Sequence, residues 1–166
     1  MQINFLTENR SSCVLRLVAL AIGILFAPIA AQAAVSCSVS ATNLNFGLYD
    51  TINTDTATTG IVVNCGGLGG STANYSIALS SGPGSFVTRL MNSGAQTIQY
   101  NLFTSAAFTS VWGDGTSGTS VVTGSLTGPP GNQSATHTVH GRILGGQNAA
   151  PGNYSTTSPI TVTVTF

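Results

Sequence analysis

The chain of 166 residues has no lysine, and its charge is confined to four Arg and four acidic residues. Nucleic-acid binding requires clustered cations that displace counterions from phosphates, and this composition cannot supply them. The same shortage excludes attachment to anionic membranes through a basic patch. Glutamate occurs once, at Glu8, and histidine only at His137 and His140. Nothing therefore suggests the paired carboxylates of a glycosidase. No G-x-S-x-G elbow presents a serine nucleophile, and no C-x-x-C or Cys/His cluster has metal-ligand spacing. His137 and His140 are three apart, which on a strand sends them to opposite faces, so they cannot share a metal. No catalytic residue, cofactor or metal ligand is expected.

Long apolar runs are also scarce, and the one present lies near the N-terminus. Arg10 and Arg16 precede residues 17–27 (LVALAIGILFA), Pro28 breaks the run, and Ala31-Gln32-Ala33 offers small residues at a cleavage site. This is the layout of an export leader covering residues 1–33. Its apolar core is shorter than the roughly 20 residues that cross a bilayer, so no membrane insertion is expected after cleavage. Residues 34–166 then form one domain of 133 residues with Arg89 and Arg142 against Asp50, Asp55 and Asp114, a formal charge of −1. Solubility rests on Ser, Thr, Asn and Gln.

Cysteine is equally sparse. Cys13 leaves with the leader, so Cys37 and Cys65 have only each other, and export to an oxidising compartment favours a disulfide between them. A lipoprotein reading of Ala34-Val35-Ser36-Cys37 would strand Cys65 and lies well past the apolar run.

What the domain does have is period-two alternation. Val35, Cys37, Val39 and Ala41 alternate with Ser36, Ser38, Ser40 and Thr42; Thr59, Ile61, Val63 and Cys65 form one face of a second strand. Both cysteines then face inward, as a staple between the first two strands. Further strands are expected over Tyr75 to Ser80, Phe86 to Met91, Ile98 to Leu102, Ser120 to Leu126 and Thr136 to Leu144. Ile160, Val162, Val164 and Phe166 alternate with threonines at the end of the chain. Gly- and Pro-rich clusters such as Gly82-Pro83-Gly84 and Gly128-Pro129-Pro130-Gly131 punctuate these runs and forbid helices. Short strands with such turns indicate an all-β, immunoglobulin-like sandwich.

Two motifs carry less than they first offer. Gly113-Asp114-Gly115-Thr116-Ser117-Gly118 fits G-x-G-x-x-G, but β-branched strand sequence follows where a dinucleotide site needs a helix, so a turn is expected. Within residues 34–166, three Asn-x-Ser matches, at Asn74, Asn132 and Asn153, are what chance produces in a chain so rich in Asn, Ser and Thr. The terminal strand is the physical oddity, since a flat apolar strand at a sheet edge invites pairing with another chain. Either an internal neighbour or a partner must cover it.

Several segments together resemble the spore coat protein U domain family, which includes pilin subunits of the archaic chaperone–usher pathway. They are Cys37-Ser38-Val39-Ser40, Asn45-Phe46-Gly47, Val63-Asn64-Cys65, Tyr75-Ser76-Ile77-Ala78-Leu79-Ser80, Arg89-Leu90-Met91, Tyr100-Asn101-Leu102-Phe103, Val111-Trp112-Gly113-Asp114-Gly115, His140-Gly141-Arg142-Ile143 and the closing strand. The resemblance implies an incomplete immunoglobulin-like fold lacking its last strand. A periplasmic chaperone lends that strand until a neighbouring pilin-like subunit, delivered through an outer-membrane usher, replaces it. Ile160, Val162, Val164 and Phe166 would line the strand-accepting groove. The chain would pass through the periplasm to the cell surface or an extracellular fibre. Cleavage after Ala33 leaves only three residues before Cys37, too few for a donor strand of about ten, which implies a tip or terminal subunit. The competing expectation is a self-contained secreted binding domain that closes internally.

Overall fold

The computed structural model describes residues 2–10 and 34–166. The apolar run of the expected leader, Cys13 and the expected cleavage site at Ala31-Gln32-Ala33 lie outside the described residues. Within them the chain forms β1 (Gln2–Ile3), β2 (Phe5–Arg10), β3 (Ser36–Ala41), β4 (Leu44–Asn45), β5 (Asp55–Gly66) and β6 (Thr72–Leu79). There follow β7 (Arg89–Ser93), β8 (Gln96–Phe103), β9 (Val122–Thr127), β10 (Gln133–Ile143) and β11 (Ile160–Thr165). No helix appears among the described residues, and none is long and apolar enough to cross a membrane.

The alternation seen in the sequence translates into burial. In β6, Ala73, Tyr75, Ile77 and Leu79 are buried, and in β11 Ile160, Val162 and Val164 are buried while the threonines between them are partly exposed. A strand sends successive side chains to opposite faces, so this pattern commits one face of each strand to a shared core. Five strands, in the order β3-β5-β10-β8-β7, form one antiparallel sheet. A second sheet runs β2-β11-β6-β9. Residues of both sheets, among them Ile61, Val63, Leu102 and Val139 from the first and Ile77, Leu79 and Val162 from the second, meet in a single hydrophobic cluster. The result is the immunoglobulin-like sandwich expected from the sequence.

Boundaries differ in detail. The strand expected from Phe86 begins at Arg89, because residues 80–88 make a turn closed by the Ser85 amide to the Thr88 carbonyl at 2.8 Å and the Leu90 amide to the Pro83 carbonyl at 2.9 Å. Asp55 opens β5 opposite Ile143 of β10. Burial, then the nearby Asp50 charge, raises its carboxyl pKa. The short β4 lies over β10 at Gly141, where an added Cβ would meet the ends of the Leu44 and Phe46 side chains, with Phe46 Cζ at 2.5 Å, and would push them aside.

Residues 2–10, assigned from sequence to the leader, take part in the fold of this uncut chain. Ile3 of β1 is fully buried opposite Leu44 of β4. β2 runs parallel to β11, with Phe5 beside Ile160, Thr7 beside Val162 and Asn9 beside Val164. It also lies near β3, so it fills the seam between the edges of the two sheets.

Candidate functional site at the β11 edge

β11 has two neighbours of different kinds. On one side it pairs antiparallel with β6, placing Val162 opposite Leu79 and Val164 opposite Ile77. On the other it pairs only with β2. The inner face of β11 is apolar and sealed: Ile160, Val162 and Val164 are at most 1% exposed. Burying three such side chains contributes roughly 1.5 to 3 kcal/mol each. Phe166 lies beyond the end of β11, partly buried, at an open cleft with Tyr75, Ser76 and residues 123–125.

The strand occupying this edge suits it poorly. Ile3 fills the core at one end and Phe5 is partly buried, but Thr7 is exposed and Leu6, pointing away, is 56% exposed. Polar residues therefore stand beside Val162 and Val164, where apolar ones would gain most.

Behind the edge, the fold is fixed by two devices. Cys37 and Cys65, directly opposite each other on β3 and β5, form a disulfide with their Cα atoms 4.0 Å apart, as the sequence implied. Both are buried. The second device is Arg89, wholly buried with no carboxylate beside it among the described residues. Its guanidinium donates to Asn101 Oδ1 at 2.5 Å, to the Ser80 carbonyl at 3.0 Å and to the Trp112 carbonyl at 2.8 Å. The Trp112 indole in turn donates to the Ile77 carbonyl at 3.0 Å. One cation thus ties the β7–β8 hairpin to the strand that backs β11. Burial lowers the Arg89 pKa to about 10, which leaves the side chain charged at neutral pH. Tyr100, its cross-strand neighbour, has its phenol pKa pushed well up by burial.

The remaining candidates scatter. His137 hydrogen-bonds the Tyr75 hydroxyl at 2.9 Å across the sandwich, and burial lowers its pKa. His140 packs on the opposite face against Phe108, at 6.4 Å between ring centroids. Asp114 accepts from the Thr116 hydroxyl at 2.6 Å and amide at 2.8 Å, which depresses its pKa and makes residues 113–118 a tight loop without a helix. No cluster of three or more His, Cys, Asp or Glu that could hold a metal occurs among the described residues. Sequence reasoning did not foresee the Arg89 clamp. Its signal was an arginine directly before Leu90 and Met91, in a domain with only one other.

A single disulfide-stapled β-sandwich whose last strand pairs with an N-terminal segment is the class of protein that these features define. The Spore Coat Protein U domain model matches residues 25–165, and the chain belongs to that family. No curated protein matches it.

Proposed function

We propose that the domain is a non-enzymatic subunit of a bacterial surface fibre or coat, assembled by accepting a β-strand along β11. The observation that carries this reading is the parallel pairing of β2 with β11, by a segment that the leader reading removes. Once residues 1–33 are cleaved, the backbone of β11 is left unpaired on that side and the seam beside β3 opens. Strand addition satisfies both needs at once: backbone hydrogen bonds give affinity, and alternate side chains fill the row beside Ile160, Val162 and Val164. A periplasmic chaperone would fill it first and a neighbouring pilin-like subunit, brought through an outer-membrane usher, afterwards. With three residues between the cleavage site and Cys37, the subunit accepts a strand without giving one, which suits a tip or terminal position.

Val164→Asp and Thr163→Ser test this. The first puts an unpaired charge into the row, costing more than the lost burial; the second alters the outer face. Co-purification with the periplasmic chaperone should be abolished by Val164→Asp and unchanged by Thr163→Ser. Normal yields of the Val164→Asp complex would favour the internally closed binding domain instead.

A further inference from the structure

A second site lies on the outer face of the five-stranded sheet, away from the β11 edge. After Ile143, β10 turns away from β8, and the Gln147 side chain continues the ladder: its amide donates to the Gln99 carbonyl at 2.8 Å and its oxygen accepts from the Gln99 amide at 2.6 Å. The splay leaves a cavity of about 310 Å³, lined among others by Val87, Phe103, Arg142, Leu144 and Gln147.

Arg142 sets its chemistry. The guanidinium carbon lies 4.9 Å from the ring centroids of both Phe103 and Phe108. These contacts hold the cation through ring quadrupoles and consume none of its N–H donors. Among the described residues those donors have no hydrogen-bond or ion-pair partner. Phe108 is held for this contact at some cost, since its φ of 52° lies in the left-handed region that bulky residues avoid. The loop that carries it is closed by the Thr104 amide to the Ser110 carbonyl at 3.1 Å and the Phe108 amide to the Ser105 carbonyl at 3.2 Å. With Arg89 fully buried and no lysine present, Arg142 is the one accessible guanidinium or ammonium side chain of residues 34–166.

The rest of the site is apolar. Val87 is 77% and Leu144 56% exposed at the cavity, a cost that an apolar ligand group would relieve. Of the three side-chain amides at the cavity, two are already committed: Gln147 to the backbone of Gln99 and Leu144, and Asn101 to the carbonyls of Phe86 and Val87. A lone guanidinium fork balances one negative charge and matches a carboxylate in bidentate fashion. We propose that this cavity binds a small monocarboxylate carrying an apolar group, with Arg142 pairing the carboxylate and Val87 and Leu144 covering the apolar body.

The test is an NMR titration of the full chain with benzoate, benzamide, glucuronate and inorganic phosphate. Benzoate should give saturable shifts at Val87, Arg142 and Leu144. Benzamide, which keeps the ring and loses the charge, should bind at least about tenfold more weakly. Arg142→Gln should lose about tenfold or more in benzoate affinity, with strand resonances elsewhere unmoved. Leu144→Ser, which leaves the cation and its aromatic contacts in place, should weaken benzoate severalfold and serves where Arg142→Gln disturbs the fold. Benzamide, glucuronate or phosphate binding as tightly as benzoate would overturn the assignment. So would benzoate affinity untouched by both variants, or no saturable shift below about 50 mM.

Discussion

Arg89 and Trp112 are joined by a 2.8 Å hydrogen bond from guanidinium to backbone carbonyl, and neither side chain meets solvent. A buried cation without a carboxylate is normally costly. Here carbonyl and amide oxygens share the charge, and the geometry needs the fork of an arginine.

Truncation of that clamp should therefore be severe. Arg89→Ala leaves the Ser80 and Trp112 carbonyls without their donor and Asn101 Oδ1 with only the Leu102 amide, and should destabilise the chain by about 3 kcal/mol or more, with Arg89→Lys recovering only part of the loss. Tyr100→Phe is the contrast: its buried hydroxyl has no partner among the described residues, so removing it should be neutral or stabilising by up to about 1 kcal/mol. Urea unfolding of the three variants at neutral pH would check the ranking.

The disulfide closes a separation of 28 residues between adjacent strands. In the chain-entropy model such a loop is worth about 3.5 kcal/mol. Unfolding with and without reductant should show a loss of that order, and thiol labelling of denatured, unreduced protein should find Cys37 and Cys65 blocked. Quantitative labelling of both would contradict the bridge.

His137 gives a pH signature. Burial depresses its folded-state pKa below the ordinary 6.5, so the unfolded chain binds more protons as pH falls below that value. Stability should be level above about pH 6.5 and decline below it. His137→Gln should flatten the decline between pH 6.5 and 5.5, a change visible in denaturation midpoints. An unchanged slope would mean that the histidine is not held neutral by the fold.

The sandwich and its staple were legible because period-two alternation is local: Cys37, Val39, Cys65, Ile77 and Val162 announce their buried face within a few residues of sequence. The β11 edge was legible only as an anomaly, an apolar strand in need of a neighbour. Arg89 was opaque, because its acceptors at Ser80, Asn101 and Trp112 come together only in three dimensions, and two of the three are backbone carbonyls, which any residue type provides. For the same reason Phe5 beside Ile160 could not be foreseen. Residues 5–10 show no alternating apolar pattern, and their place in the sheet comes from the vacancy beside β11 rather than from their own propensity.

Amide hydrogen exchange along residues 160–165 tests the strand-accepting edge most directly. It should be compared in the full chain, in residues 34–166 alone as the leader-free domain, and in that domain with the periplasmic chaperone that the proposal invokes. Amides of β11 directed away from β6 should be protected in the full chain, exchange fast in the leader-free domain, and regain protection in the complex. Equal protection of residues 160–165 in the leader-free domain alone would contradict an open edge and leave a sandwich that closes by itself.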